Sequence, residues 1–286
     1  MHRIEAVFWC SKKKATKKRK ESTNMAQKKT CGSVFSQQEI APDIYDMWIT
    51  TELAQDAAAG QFIAVYPKNK STLLPRPISI CEVDREENRL RIVYRIAGSG
   101  TKEFSSYEVG ESIQILGVLG NGFPQDVMKK MAQEGKTAFL MGGGIGIPPM
   151  LQLAKELSCD KKIIVGYRDS QLFLREDLDK YGEVYIATED GSAGTKGNVM
   201  NAIDENGLKA DVIFACGPMP MLRAIKQYAE TEGIDAYISL EERMACGVGA
   251  CLGCVCKTKE KDHHSHVNNA RICTDGPVFE GKEVDI

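Results

Sequence analysis

From Thr30 to about Gly117 apolar residues come in short runs, closely punctuated by Pro, Gly, Asp and Asn. Ile44–Ile49, Gln61–Tyr66, Ile78–Val83, Arg89–Ile96 and Ser112–Leu119 have the length and the β-branched or aromatic content of strands. Ile92, Tyr94 and Ile96 alternate with Val93 and Arg95, the two-residue period of a strand with distinct faces. Thr101–Ser106 alone suits a short helix. Several short strands with so little helix predict a small antiparallel β-barrel.

After Lys136 the period lengthens. Thr137–Met141, Lys162–Tyr167, Glu183–Thr188 and Asp211–Cys216 read as strands, and Pro148–Leu157, Leu172–Tyr181, Val199–Asn206 and Met219–Gly233 as helices. Such alternation predicts an α/β domain, a parallel sheet covered on both faces. The stretch 240–286 is rich in glycine and cysteine and poor in apolar residues, so it is expected to lean on a bound metal group for stability. The predicted order is a basic tail over 1–29, a barrel over 30–133, an α/β domain over 134–236 and a small C-terminal domain over 237–286.

Charge and composition narrow the function. The net charge of −2 gives no polycation character that would point to nucleic acid, and no run of 18 apolar residues offers a membrane-spanning helix. In the tail, ten Lys/Arg stand against two Glu, and the short apolar run Ile4–Cys10 precedes the basic cluster, the wrong order for a signal peptide. A solvated, disordered extension is the plain reading, with a nucleic-acid-binding or lipid-binding tail as the alternative. A start at Met25 would leave residues 1–24 untranslated. Without an export signal the chain is expected to be cytoplasmic and its ten cysteines reduced, so clustered ones read as metal ligands rather than disulfides.

The clustered ones are Cys246, Cys251 and Cys254, in C-x4-C-x2-C spacing, followed after eighteen residues by Cys273. Gly247, Gly249 and Gly253 surround the first three and let the backbone curl closely about a metal. The plant-type [2Fe–2S] pattern begins with this spacing, whereas zinc sites favour two C-x2-C-like pairs. A structural zinc and inert buried thiols are the competing readings, and Cys256 could replace Cys273. Cys10, Cys31, Cys81, Cys159 and Cys216 read as core or incidental, with Cys216 also standing at a strand end. His263, His264 and His266 lie in a polar stretch where a second metal site is the less favoured reading. No histidine occurs between residues 3 and 262, and no Ser-His-Asp set or paired-carboxylate signature appears, so no residue is assigned acid–base catalysis.

Glycine loops supply the nucleotide chemistry. Gly142, Gly143, Gly144 and Gly146 follow an apolar strand and open a helix, where glycines admit a pyrophosphate to the backbone and helix N–H groups attract it. Pro148 and Pro149 suit a first helical turn but depart from the usual fingerprint, so a merely tight turn stays open. Cys216-Gly217-Pro218-Met219 ends another strand before a helix and should face the same crevice, as should Glu189–Ser192. On the barrel, Arg76 stands between two prolines that pre-set its backbone, which suits a cofactor phosphate. Ser79 could offer a hydroxyl to a ring nitrogen, and Gly98–Lys102 opens the short helix; each string by itself could be an ordinary turn.

Together these strings resemble the ferredoxin–NADP reductase superfamily. The terminal string from Glu242 to Cys254, with Cys273-Thr274-Asp275-Gly276-Pro277-Val278-Phe279, is similar to the electron-transfer subunits of type B dihydroorotate dehydrogenase, over roughly residues 30–286. The resemblance implies an FAD-binding barrel, an NAD-binding α/β domain and a C-terminal [2Fe–2S] domain. It implies FAD contacts at Arg76, Pro77, Ile78 and Ser79, at Val93, Tyr94 and Arg95, and at Gly100 and Thr101, with cluster ligands Cys246, Cys251, Cys254 and Cys273. NAD is expected at Gly142–Gly146 and Cys216–Met219. The implied partner is an FMN-containing catalytic subunit that oxidises dihydroorotate to orotate in pyrimidine biosynthesis, in a heterotetramer with two of each subunit. Electrons would run from that FMN through the cluster and FAD to NAD⁺. A related FAD/[2Fe–2S] reductase subunit serving another partner is the rival, and a zinc-stabilised binding module the rival from a different class. Arg168 and Asp169 pull in opposite directions on NAD against NADP. The insertion before Cys273 and the basic tail depart from the family pattern.

Overall fold

The computed structural model describes residues 28–69, 71–261 and 266–286. The tail up to residue 27, the question of a start at Met25, and His263 and His264 lie outside the described residues.

Seven elements build the first unit: β1 (Lys28–Ala41), β2 (Ile44–Thr50), β3 (Phe62–Tyr66), β4 (Arg76–Asp84), β5 (Arg89–Arg95), α1 (Ser99–Phe104) and β6 (Ser112–Leu119). The strands close an antiparallel barrel in the order β1-β2-β5-β4-β3-β6, with β6 returning to β1. Strand β1 was not expected from the pattern. Among the side chains described from Lys29 to Ala41 only Val34 is buried, and register shifts near Val34 and Glu39 bend the strand so that it pairs with both neighbours. Lys28 and Lys29, assigned to the tail, are its first two residues. Leu90, Ile92 and Tyr94 point into the barrel core, where Phe104 of α1 meets Tyr94 edge-on at 5.9 Å.

The second unit follows as α2 (Gln125–Glu134), β7 (Thr137–Gly143), α3 (Pro148–Glu156), β8 (Asp160–Tyr167), α4 (Arg175–Leu178), β9 (Glu183–Thr188), β10 (Thr195–Lys196), α5 (Val199–Glu205), β11 (Val212–Cys216), α6 (Met219–Glu232) and β12 (Asp235–Ser239). A short 3-10 turn, Gly144–Gly146, links β7 to α3. Helix α4 corrects the longer helix expected over Leu172–Tyr181. Leu174 is left-handed at φ 62°, and Tyr167 Oη donates to the Phe173 carbonyl at 2.9 Å, so the chain before α4 is a pinned loop. The sheet runs β10-β9-β8-β7-β11-β12-β15, parallel except for the last strand. That strand, β15 (Val278–Glu280), belongs to the C-terminal segment, as do the paired strands β13 (Val255–Lys257) and β14 (Asn269–Arg271). Strand β12 crosses the boundary drawn between residues 236 and 237.

Barrel and sheet meet along α3 and β4. The outward faces of Ile44, Cys81 and Val93 pack into one core with Ile147, Met150 and Leu151. The β5 alternation therefore looks continuously buried: one face fills the barrel and the other is covered by the second unit. Gln152, 1% exposed, accepts from the Val83 amide at 2.8 Å, and Lys155 reaches Glu82 at 3.0 Å. Arg91, 9% exposed, donates to both Asp46 oxygens at 2.9 Å, to Glu82 at 3.2 Å and to Asp177 of α4 at 2.9 Å.

Arg91→Met would leave Asp46 buried without its countercharge, which costs about 3–5 kcal/mol. Urea denaturation should show a loss of that size; a change below about 1 kcal/mol would mean that water reaches and screens the carboxylate.

Candidate functional site

Strand order reverses between β7 and β11, and ligands of open α/β sheets bind beyond the carboxyl ends of strands at such a switch. Cys216 is in register with Gly142, so Gly142–Gly146 and Cys216–Met219 leave the sheet side by side. The two loops touch. A side chain at Gly146 would strike the Cys216 carbonyl and lie 2.7 Å from Gly217 Cα, and one at Gly143 would meet Met221 Sδ at 2.6 Å. Gly146 is thus required by loop-on-loop packing and Gly143 packs under the Met221 side chain of α6, whereas Gly144 (φ 53°) stands in open space where a ligand can approach. Pro148 and Pro149 occupy the first turn of α3, as expected, and Pro218 precedes Met219 at the start of α6.

The Cys216 thiol is fully buried, 4.0 Å from Glu241 Oε1. Burial, then the Glu241 charge, pushes its pKa up, so it stays protonated at neutral pH. Desolvation raises the Glu241 carboxyl as well. Glu241 was not selected from the sequence. It lies two residues past β12, whose Ser239 pairs with Cys216, so the rule that placed Cys216 at a strand end would have found it had β12 been recognised.

On the barrel the selected strings come together. The β4–β5 ladder stops at Ile80 opposite Ile92. Beyond it Arg76, Pro77, Ile78 and Ser79 keep their pairing with β3, and Val93, Tyr94 and Arg95 theirs with β2, but no ladder joins the two segments. This splay leaves strand backbone for a ligand between the residues chosen for one. Arg76 Nη1 donates to the Leu74 carbonyl at 2.5 Å, and its guanidinium lies so close to Gly100 that a Cβ there would be 2.6 Å from Nε. Thr101 Oγ1 accepts from the amides of Ala97 (2.8 Å) and Gly98 (3.2 Å), so its hydroxyl shapes the turn. Among Val93–Arg95 the side chains diverge: Val93 faces α3, Tyr94 donates to Gln37 Oε1 at 3.0 Å, and Arg95 is exposed. Arg168, past the end of β8, is exposed, while Asp169 Oδ1 accepts from the Gln171 amide at 2.9 Å.

The cysteine loop rests on the barrel, where a Cβ on Gly247 would be 3.3 Å from Leu119 of β6. Gly247 (φ 70°) and Gly249 (φ 79°) are left-handed, as a tight loop needs, but the third such residue is Leu252 (φ 55°) and not the expected Gly253. The four thiols interact: Cys246 with Cys251, and Cys273 with both Cys254 and Cys246. Burial raises Cys246, but donors from Val248, Cys251 and Ala250 outweigh it and bring its pKa to about 6. Burial and the neighbouring Cys254 push Cys273 up to about 12. Cys254 and Cys273 are joined by backbone: β13 and β14 form a ladder, and the Ile272 amide donates to the Cys254 carbonyl at 2.8 Å. Cys256 lies on β13, half-buried, and His266 is exposed.

Among the described residues no three His, Cys, Asp or Glu side chains converge as a single-metal site. Four neighbouring thiols, with the Val248 and Gly253 amides donating to the Cys246 and Cys251 sulfurs at 3.4 Å, fit an iron–sulfur cluster, whose negative sulfurs such amides stabilise.

Gly146→Ala should destabilise the protein by about 3 kcal/mol, the upper end for overpacking, because backbone atoms stand in the way. Gly144→Ala should cost only about 1–2 kcal/mol for its left-handed backbone. Urea melts compare them, and equal losses would mean that the loop-on-loop contact yields.

Known proteins resemble this chain over most of its length. The iron–sulfur cluster binding domain of dihydroorotate dehydrogenase B matches residues 241–285. The dihydroorotate dehydrogenase B (NAD(+)) electron transfer subunit of Bacillus pumilus is 44% identical over 264 residues, 90% of this chain and 98% of that protein. Its counterpart from Lysinibacillus sphaericus is 42% identical over 252 residues, 86% of this chain and 94% of that protein. Among solved structures, the NADH-dependent reduced ferredoxin-NADP oxidoreductase superposes with a TM-score of 0.76 at 27% identity, covering 89% of each chain. With a barrel, a largely parallel sheet and four neighbouring cysteines, and with this identity over nearly its whole described length, the chain belongs to the family of dihydroorotate dehydrogenase B electron transfer subunits.

Proposed function

We propose that this chain couples an FMN-containing dihydroorotate dehydrogenase to NAD⁺ in a cytoplasmic heterotetramer with two of each subunit, as part of pyrimidine biosynthesis. The observation that carries the reading is the closeness of the three candidate sites. Phe62 of β3 is in register with Ser79 on one side and Leu119 on the other. Ser79 belongs to the splayed strip and Leu119 supports the cysteine loop, so the two sites lie two strand spacings apart, about 10 Å. The Gly144–Gly146 turn in its turn touches β5.

Bound FAD exchanges a hydride with nicotinamide and single electrons with an iron–sulfur cluster, which is why one chain carries sites for all three. Arg76, braced against Gly100, would hold the FAD diphosphate, with Gly100 and Thr101 shaping the turn beside it. Pro77, Ile78 and Ser79 and the facing Val93, Tyr94 and Arg95 would receive the flavin along their free backbone edges. Gly144, on the shelf built by Gly142, Gly143, Gly146 and Cys216–Met219, would admit NAD. Cys246, Cys251, Cys254 and Cys273 would hold the cluster. Cys251 is exposed beside Leu252 (62% exposed) and Val248, whereas Cys254 and Cys273 are buried toward the barrel and sheet. We take this apolar rim as the edge that meets the catalytic subunit. The described residues contain no helix long and apolar enough to cross a membrane.

Arg76→Ala should lower FAD content on purification while iron stays near the wild-type amount; unchanged flavin would count against Arg76 as a phosphate ligand. Cys251→Ser should abolish the visible cluster absorbance and dihydroorotate-driven NAD⁺ reduction, yet leave NADH reduction of FAD intact. Equal loss of both activities would overturn the proposed order of carriers. The likeness to the ferredoxin-NADP oxidoreductase keeps a second reading open, a reductase subunit for another partner. Co-purification with an FMN protein, and a dihydroorotate:NAD⁺ assay with and without this chain, separate the two.

A further inference from the structure

The wall of the cysteine site contains a hydroxyl with nothing to bond to. Thr274 directly follows Cys273, and its Oγ1 is one of two buried side-chain polar atoms without a hydrogen-bond partner among the described residues, the other being Arg89 Nε. A dry, unpaired hydroxyl is costly, so its persistence calls for a partner that the polypeptide does not supply.

Loose backbone does not explain it. Asn121 Nδ2 donates to the carbonyls of Thr274 (3.0 Å) and Asp275 (3.1 Å), and the Asn121 amide donates to the Gly276 carbonyl at 2.6 Å. Asp275 Oδ2 accepts from the Arg271 amide at 2.8 Å. Held in this way, the Thr274 side chain presses on the cysteine loop. A Cβ on Gly249 would stand 2.9 Å from Thr274 Cγ2 and 3.2 Å from Oγ1. The Gly249 amide in turn hydrogen-bonds the Cys273 thiol. The orphan hydroxyl, an amide already aimed at sulfur, and the Cys273 sulfur therefore share one small volume, and the acceptors that a cluster brings there are sulfurs.

We infer that Thr274 Oγ1 donates a hydrogen bond to a sulfur of the iron–sulfur cluster and thereby sets its reduction potential. The inference rests on the reading of Cys246, Cys251, Cys254 and Cys273 as the ligands of a [2Fe–2S] cluster. A reduced cluster carries one more negative charge than an oxidised one, so a fixed donor favours the reduced form and raises the potential. Thr274 is then a positioning residue and not a ligand.

The test compares full-length wild type with Thr274→Val, Thr274→Ala and Thr274→Ser, all purified without oxygen together with the flavoprotein partner. Iron content, visible and EPR spectra, and the cluster midpoint potential by EPR-monitored titration are measured. All four proteins should hold about the same iron. The valine and alanine variants should shift the reduction equilibrium toward the oxidised form by about tenfold, or about 59 mV for one electron. Serine should keep the wild-type value. If valine and alanine lose iron while serine keeps it, the hydroxyl is required for assembly, and the bond is likewise supported. A potential unchanged in valine and alanine, a serine variant displaced as far as valine, or iron lost from all three variants would overturn the inference. Wild type without iron would instead bring down the cluster assignment itself.

Discussion

The seam between α3 and β4 is the constraint on which every site depends. Apolar contact between the barrel wall and Ile147, Met150 and Leu151 supplies area, but apolar surfaces alone are non-directional. Direction comes from polar groups within the seam: the Gln152 carboxamide on the Val83 amide, Lys155 on Glu82, and Arg91 shared among Asp46, Glu82 and Asp177. Buried ion pairs add little net stability because desolvation offsets their attraction, yet any slip that unpairs one is heavily penalised. A sliding of α3 along β4 would break the Gln152–Val83 and Lys155–Glu82 bonds together, and a movement of α4 would take Asp177 from Arg91. The splayed ends of β4 and β5 are therefore kept beside the switch point of the sheet, with Val93 inside the seam and Arg95 outside it.

A second clamp fixes the cysteine segment to both units. Asn121, just past β6, holds the backbone from Thr274 to Gly276, and β15 continues the sheet beside β12. Cys254, Ile272, Cys273, Phe279 and Val284 are buried in one core with Phe62, Leu116 and Leu119 of the barrel and Ile213, Ala215 and Ile238 of the sheet. The stretch 240–286 is poor in apolar residues and is expected to lean on a bound metal group. Its few apolar residues are spent at this junction, so the second half of the segment is anchored by protein contacts. The loop from Cys246 to Gly253, which contains no helix or strand, is the part left to depend on what the thiols bind.

What was legible in the sequence had a local cause. Strands with one apolar face, such as β2 and β5, and helices opened by proline or ended by glycine, such as α3 and α6, declare themselves within a few residues. Strand β1 did not, because its order comes from pairing on both edges and not from its own apolar content. Strands β12 and β15 were hidden for a similar reason, since short segments become strands when a neighbouring edge is available. At the sites, residue types were read more easily than roles. Gly143 and Gly146 are chosen for close approach of a ligand, and the structure shows that they also serve the packing of neighbouring segments, while Thr101 uses its hydroxyl to shape its own turn. Glu241 and Thr274 could not be ranked, because one gains meaning from a strand pairing and the other from an empty hydrogen bond.

A long polar insert separates the third and fourth cysteines along the chain, and the fold around it keeps them near each other all the same. Separation along the chain matters only through the cost of closing the loop, which grows by about 0.6 kcal/mol for each doubling of length. The β13–β14 ladder, Val255 with Arg271 through Lys257 with Asn269, closes that loop before the insert begins. The Thr258 amide, donating to the Asn268 carbonyl at 3.0 Å, seals its base. Cys254 and Cys273 thus flank the open end of a hairpin whose turn carries the insert. Lengthening the insert changes what lies beyond the ladder and leaves the distance between the two thiols alone. A site that seemed to need distant residues to find one another needs only a short antiparallel pair to form, and the Ile272 amide on the Cys254 carbonyl is the bond that brings the fourth cysteine to the third.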